Sequence, residues 1–158
     1  MSIEYLAIYK ETIISKLTQS QNIKDLILSS NGVNNLPDNE LLYNYIFPYL
    51  YNPEIQSEIK TGICLDCVVS KIINSTVNEI KIIINVFSHK DGMKHSDTDI
   101  SKTNPDIISE KIHDMLSYSR EFGIGKLSLE SVDLFNLQNT YYGKTLNYKC
   151  AEFNNRKI

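Results

Sequence analysis

At 158 residues the chain is most simply one domain, long enough to bury a substantial core. Hydrophobic residues make up 42% and charged residues 22%, the balance of an ordinary soluble globular protein. The formal net charge of −3 argues against a free-standing nucleic-acid binder, no apolar run approaches the roughly 20 residues of a membrane span, and three cysteines make no disulfide framework. The N-terminal stretch "MSIEYLAIYKETIISK" is interrupted by Glu4, Lys10 and Glu11 and does not read as a signal peptide. Synthesis in a reducing, intracellular compartment is expected.

Residues 3–18 carry Ile3, Leu6, Tyr9, Ile13 and Leu17 close to helical spacing, and 21–28 predicts a second short helix. Residues 29–39, "SSNGVNNLPDN", are rich in turn formers. Asp38 is placed to cap a third helix, "NELLYNYI", which Pro48 would end. Two prolines make 48–60 an extended linker, whose tyrosines need something to pack on. From Thr61 the pattern changes. Residues 61–73 and 78–89 are rich in β-branched side chains and flank the turn residues "NSTV", which predicts a β-hairpin. Residues 90–104 form a polar loop without periodicity. Pro105 suits a first helical turn with Thr103 or Asn104 as cap, Ile108, Ile112, Met115 and Ser119 make a stripe, and Gly123 is expected to stop the helix. Residues 125–135 alternate at Leu127 and Leu129, then change parity before Val132 and Leu134, which predicts a β-bulge. "NLQNTYYG" turns the chain, and 144–153 returns as a last strand. The expected fold is α+β: an antiparallel sheet of two β-hairpins with a helix packed on it, preceded by N-terminal helices. Within one domain, 1–47 would be the helical part, 48–60 the linker and 61–158 the α+β core.

The stretch "GICLDCVV" holds Cys64 and Cys67 at the spacing of a redox dithiol or half a zinc site. On a strand, residues three apart face opposite sides of the sheet. No helix start follows to lower a thiol pKa, and Cys150 stands alone far downstream, so the motif marks a strand. His89, Asp91, His95, Asp97 and Asp99 are plausible metal ligands by residue type, but their spacing matches no EF-hand, His-Glu-x-x-His or zinc-finger pattern, and a solvated loop is expected. His113 falls on the polar side of its helix. Gly123 and Gly125 follow a helix and precede a strand, the reverse of a phosphate-binding glycine loop. No nucleophile, base and acid share a local signature. No catalytic residue, cofactor or metal is therefore expected, with a small enzyme of unknown chemistry as the remote alternative.

"ELLYNYIFPYLYNPEIQSE", the strand pair, "SREFGIGKLSLESVDLF" and "YYGKTLNYKCAEFN" together resemble small virion proteins of tailed phages of Gram-positive hosts, the neck and tail-completion proteins. "SREFGIGKL" at 119–127 is the most distinctive piece. The element order is also similar to that of tail terminator proteins. The resemblance implies a structural protein at the top of the tail, a homo-oligomeric ring expected to be a hexamer, which ends the tail tube and joins it to the head. The implied partners are other copies of the chain, the tail tube protein and head-completion or connector proteins, with DNA only passing through the channel and no membrane. A head-closure or connector ring is the alternative, left open by residues 1–39, which exceed a minimal terminator. Two pairs of an arginine with an aromatic neighbour, Arg120 with Phe122 and Phe153 with Arg156, are candidate oligomer-interface residues. The competing reading makes both phenylalanines core residues and both arginines solvated.

Overall fold

A computed structural model describes residues 3–53, 59–96, 98 and 100–154. Helix α1, Glu4–Gln19, buries Tyr5, Tyr9, Ile13 and Leu17 at a spacing of four, so its stripe is shifted from the expected one. Ile3 stands outside the helix, 55% exposed. Helix α2, Gln21–Ser30, is capped by the Ser20 hydroxyl, which accepts from the Ile23 N–H. At its far end the Asn31 side-chain amide accepts from the Thr61 N–H at 2.8 Å and donates to the Thr61 carbonyl at 2.9 Å, tying the helix to the start of the sheet.

The third helix departs from expectation. Helix α3 is one turn, Asp38–Leu41, and Asp38 lies inside it, 2.5 Å from Lys24 Nζ, with Pro37 in the capping position. Tyr43 then takes φ +63, and Ile46–Phe47 becomes a short strand, β1. Ile46 joins the main core, whereas Phe47 faces a smaller cluster on the other side of the sheet. A helix could not send adjacent residues to opposite faces; a strand does so by construction.

The hairpin is β2, Thr61–Ile72, and β3, Val77–His89, closed by Asn74, whose side-chain oxygen accepts from the N–H groups of Thr76 and Val77. The polar loop that follows opens with a 3-10 turn, Lys90–Gly92, and is pinned at its base by buried Asn104, whose side chain donates to the Gly92 carbonyl at 2.8 Å. Helix α4, Asn104–Leu116, carries a full capping box between Thr103 and Asp106. It buries Ile108, Ile112 and Leu116, with Met115 half-buried, and ends at Leu116 rather than near Gly123. Ser119 is outside it, and its carbonyl accepts from the Leu127 N–H. Gly123 turns the chain into the sheet: at φ +63, a Cβ there would lie 2.0 Å from the Ala151 carbonyl oxygen. Strands β4, Ile124–Leu137, and β5, Tyr141–Phe153, are joined through Gln138 and Asn139, both at positive φ, with Thr140 N–H bonded to the Leu137 carbonyl.

The strand order is β1-β2-β3-β5-β4, antiparallel except for β1, which runs parallel to β2. The expected α+β class and helix-backed antiparallel sheet hold. Helices α1, α2 and α4 all pack on one face, where Ile63, Leu65, Ile82, Ile84 and Tyr148 join their stripes in one core. Among the described residues the opposite face carries the cluster of Phe47, Cys64, Phe87 and Tyr141, with Tyr51 stacked on Phe47 at 3.8 Å. The tyrosines of the linker thus find their packing partners there.

Candidate oligomer interface

Strand β4 forms one edge of the sheet. It pairs with β5, and among the described residues no strand lies on its outer side. Its register slips between Leu129 and Ser131: Leu129 pairs with Tyr148 and Ser131 with Asn147, leaving Glu130 as the extra residue. This is the bulge that the parity change predicts. Before it Leu127 is buried on the helix side; after it Val132 and Leu134, opposite Leu146 and Lys144, fall on the helix side as well. Helix α4 does not reach them, so Val132 is 51% and Leu134 83% exposed.

Between α4 and β4 runs an open cleft of about 460 Å³, floored by Leu129, Val132 and Leu146 and walled by Ser109 and His113. Its rim carries two ion pairs, Lys144 with Asp106 at 3.8 Å and Lys102 with Glu110 at 3.2 Å. His113 is not a plain surface residue: its Nδ1 lies 2.9 Å from the Tyr148 hydroxyl and its ring stacks on that tyrosine. Burial pushes the Tyr148 phenol above its ordinary value, so it stays protonated and can donate. The Ser109 hydroxyl is buried with no hydrogen-bond partner among the described residues.

The sequence-predicted candidates divide. Phe122, expected beside Arg120 as an exposed aromatic, is fully buried: its ring meets Tyr9 edge-on at 5.5 Å and closes the core under α1. The seven residues between α4 and β4 need an anchor to bring the chain back to the sheet edge, and Phe122 supplies it. Arg120 is exposed. Phe153 is 54% exposed at the end of β5, and Arg156 lies outside the described residues. Val132 and Leu134 had a signal in the sequence, an apolar pair after a parity change. That they lie on an edge was not legible, because strand order was not.

Cys64 and Cys67 face opposite sides of the sheet: Cys64 belongs to the Phe87 cluster and Cys67 to the helix-side core. Burial pushes the Cys64 thiol up to about 11, and burial with the Asp66 carboxylate pushes Cys67 to about 12. Cys150 rises to about 12 through burial and the neighbouring Glu152. These are inert thiols at neutral pH. In the polar loop His89 Nδ1 accepts from the Asp91 N–H, and His95 Nδ1 lies 3.0 Å from the Asn104 side-chain oxygen. Asp97 and Asp99 lie outside the described residues. Among the described residues no three His, Cys, Asp or Glu side chains converge on one point, and no helix is long and apolar enough to cross a membrane.

What the geometry defines is a helix-backed sheet with exposed apolar side chains along an edge that is open among the described residues. A family model matches residues 20–150, and the chain belongs to that family, YomW. The family name is that of a phage-derived, SPbeta prophage-like protein, and the chain is accordingly phage-associated. None of the curated proteins matches it.

Proposed function

We propose that the chain is a structural protein of a tailed-phage virion, a homo-oligomeric ring at the neck that terminates the tail tube and joins it to the head. The observation that carries this reading is the 14-residue edge strand β4 with Val132 and Leu134 bare to solvent. A monomer that stays alone blunts such an edge, because unpaired N–H and C=O groups beside apolar side chains recruit another chain. The phage-derived family supports the virion context, and the resemblance of residues 40–156 supports the neck. Its partners in this reading are the tail tube protein and the head-completion proteins. A net charge of −3 lets DNA pass through the channel without being held.

Helix α1 bears on the head-side alternative. It precedes the matched residues, yet Tyr5, Tyr9, Ile13 and Leu17 are part of the one main core. The extra N-terminal length is therefore used in folding and is not a free docking arm. The test is location. Gold-labelled antibody or cryo-electron microscopy of purified virions should find the protein at the head–tail junction, and native mass spectrometry of the purified chain should show a closed oligomer. Absence from the virion, or a monomer at all concentrations, overturns the reading.

A further inference from the structure

The sheet has a second open edge. Strand β1 covers β2 only at Ile63 and Cys64, so residues 67–72 of β2, paired with β3 on one side, have no strand on their outer side among the described residues. Several exposed large apolar side chains lie on these two opposite edges. Tyr43, Tyr49, Leu50, Val68 and Ile72 lie along the β1–β2 side, and Ile124, Leu129, Val132 and Leu134 along β4. Resting on the ring reading, we propose that copies join head to tail, the β4 edge of one adding to residues 67–72 of the β2 edge of the next, so that one sheet continues around the ring.

Three observations support this pairing, the last two of them against contact between two β4 strands. The first is polarity. Strands β2, β3, β5 and β4 alternate in direction, so β4 runs opposite to β2, and a neighbour placed beside it by simple repetition meets it antiparallel. The second is charge. Strand β4 carries Glu130 and Asp133, while its Lys126 is turned back over the ring of its own Tyr118 at 5.5 Å. Two β4 edges would set those carboxylates against each other, whereas the β2 edge carries, among the described residues, Lys71 and the ion pair of Lys10 with Asp66. The third is coverage. A β4–β4 pair leaves the whole β1–β2 apolar edge in water, whereas a heterologous contact covers one edge of each kind in every copy and closes into a ring when the rotation allows.

The β2 edge is covered in the lone chain by its own side chains. The outward N–H of Cys67 donates to Asp66 Oδ1 at 2.8 Å, and Lys10 Nζ sits 3.2 Å from the same oxygen. Strand addition replaces this local bond with one to the incoming backbone.

The test uses the full chain with one added thiol per copy: Ser70→Cys on the β2 edge, and Ser128→Cys or Glu130→Cys on β4, all at exposed positions. After assembly a short bismaleimide is added. The wild type is the control, since its three cysteines are buried. The expected result is a covalent dimer in the mixture of Ser70→Cys with a β4 variant and none with either alone. The double variant Ser70→Cys/Glu130→Cys should give a ladder ending at the ring size. Self-cross-linking of Glu130→Cys alone overturns the proposal in favour of a two-fold contact. No product while native mass spectrometry shows a ring overturns the edge pairing and leaves the ring reading standing. No product from a monomeric protein overturns both.

Discussion

Leu134 offers the sharpest separation of folding from assembly. Its side chain is 83% exposed, so Leu134→Asp removes almost no packing from the lone chain and should change its unfolding free energy by no more than about 0.5 kcal/mol. In an assembled edge the same leucine is buried, which contributes roughly 1.5–3 kcal/mol per contact. At about 1.4 kcal/mol per tenfold, each contact should weaken by about 10- to 100-fold, and more once the new carboxylate joins Glu130 and Asp133 on the same strand. Urea unfolding followed by circular dichroism reads the first quantity, and sedimentation velocity across a concentration series reads the second. Ile100→Asp is the control matched for exposure, a 93% exposed apolar residue outside the sheet. If Leu134→Asp lowers monomer stability by several kcal/mol, the leucine is packed and the exposure argument fails. If it assembles as the wild type does, β4 is not the interface.

Gly143 sits where β5 crosses Val86, and a Cβ there would lie 1.8 Å from the Val86 carbonyl oxygen. Since neither backbone can yield cheaply, Gly143→Ala should destabilise the fold by about 3 kcal/mol in urea unfolding, with retention of wild-type stability as the contrary result. The buried thiols give a pH dependence whose sign is fixed. Their folded values of about 11 for Cys64 and about 12 for Cys67 and Cys150 lie above the ordinary 9.0, so the neutral form favours the folded state. That contribution is complete below pH 9 and is lost as pH rises through the folded values, at up to about 1.4 kcal/mol per pH unit per thiol. Stability should therefore fall between pH 9 and 11 and fall less steeply in Cys67→Ala; equal slopes in the two proteins would contradict the assignment.

Strand periodicity made part of this legible in the sequence. The separation of Cys64 from Cys67 follows from a period of two once residues 61–73 are read as a strand, and the bulge follows from the change of parity between Leu129 and Val132. Helix lengths were less legible. The third helix shrinks to one turn because Ile46 and Phe47 are drawn onto the edge of β2, a tertiary pairing no local signal announces. Helix α4 ends at Leu116, well before Gly123, because the return path needs Tyr118 at positive φ and Phe122 in the core. Phe122 and Phe153 each follow a charged residue in the sequence, and only the packing of α1 over the first and the open end of β5 at the second separates them. The interface candidates suffered most, since exposure at an edge depends on strand order.

The bulge at Glu130 has a reason within the chain, and that reason sharpens the case for a partner. Without it Phe135 and Leu137 would share the helix side with Leu127 and Leu129. With it they turn to the other face, where Phe135 packs 6.2 Å from the Phe87 ring and both residues border the cluster of Phe47, Cys64 and Tyr141. The core thus fixes the bulge. Placing residues 132 and 134 on the helix side, out of reach of α4, is a consequence of that packing. A position left bare in this way carries no demand for an apolar residue: threonine or lysine would serve the strand as well and would guard its edge better. Leu134 has no packing use in the lone chain, and Val132 is only half covered, on the floor of the cleft. In the proposed ring their use lies in what covers the edge, and the apolar side chains along the β1–β2 side of the next copy are the proposed cover.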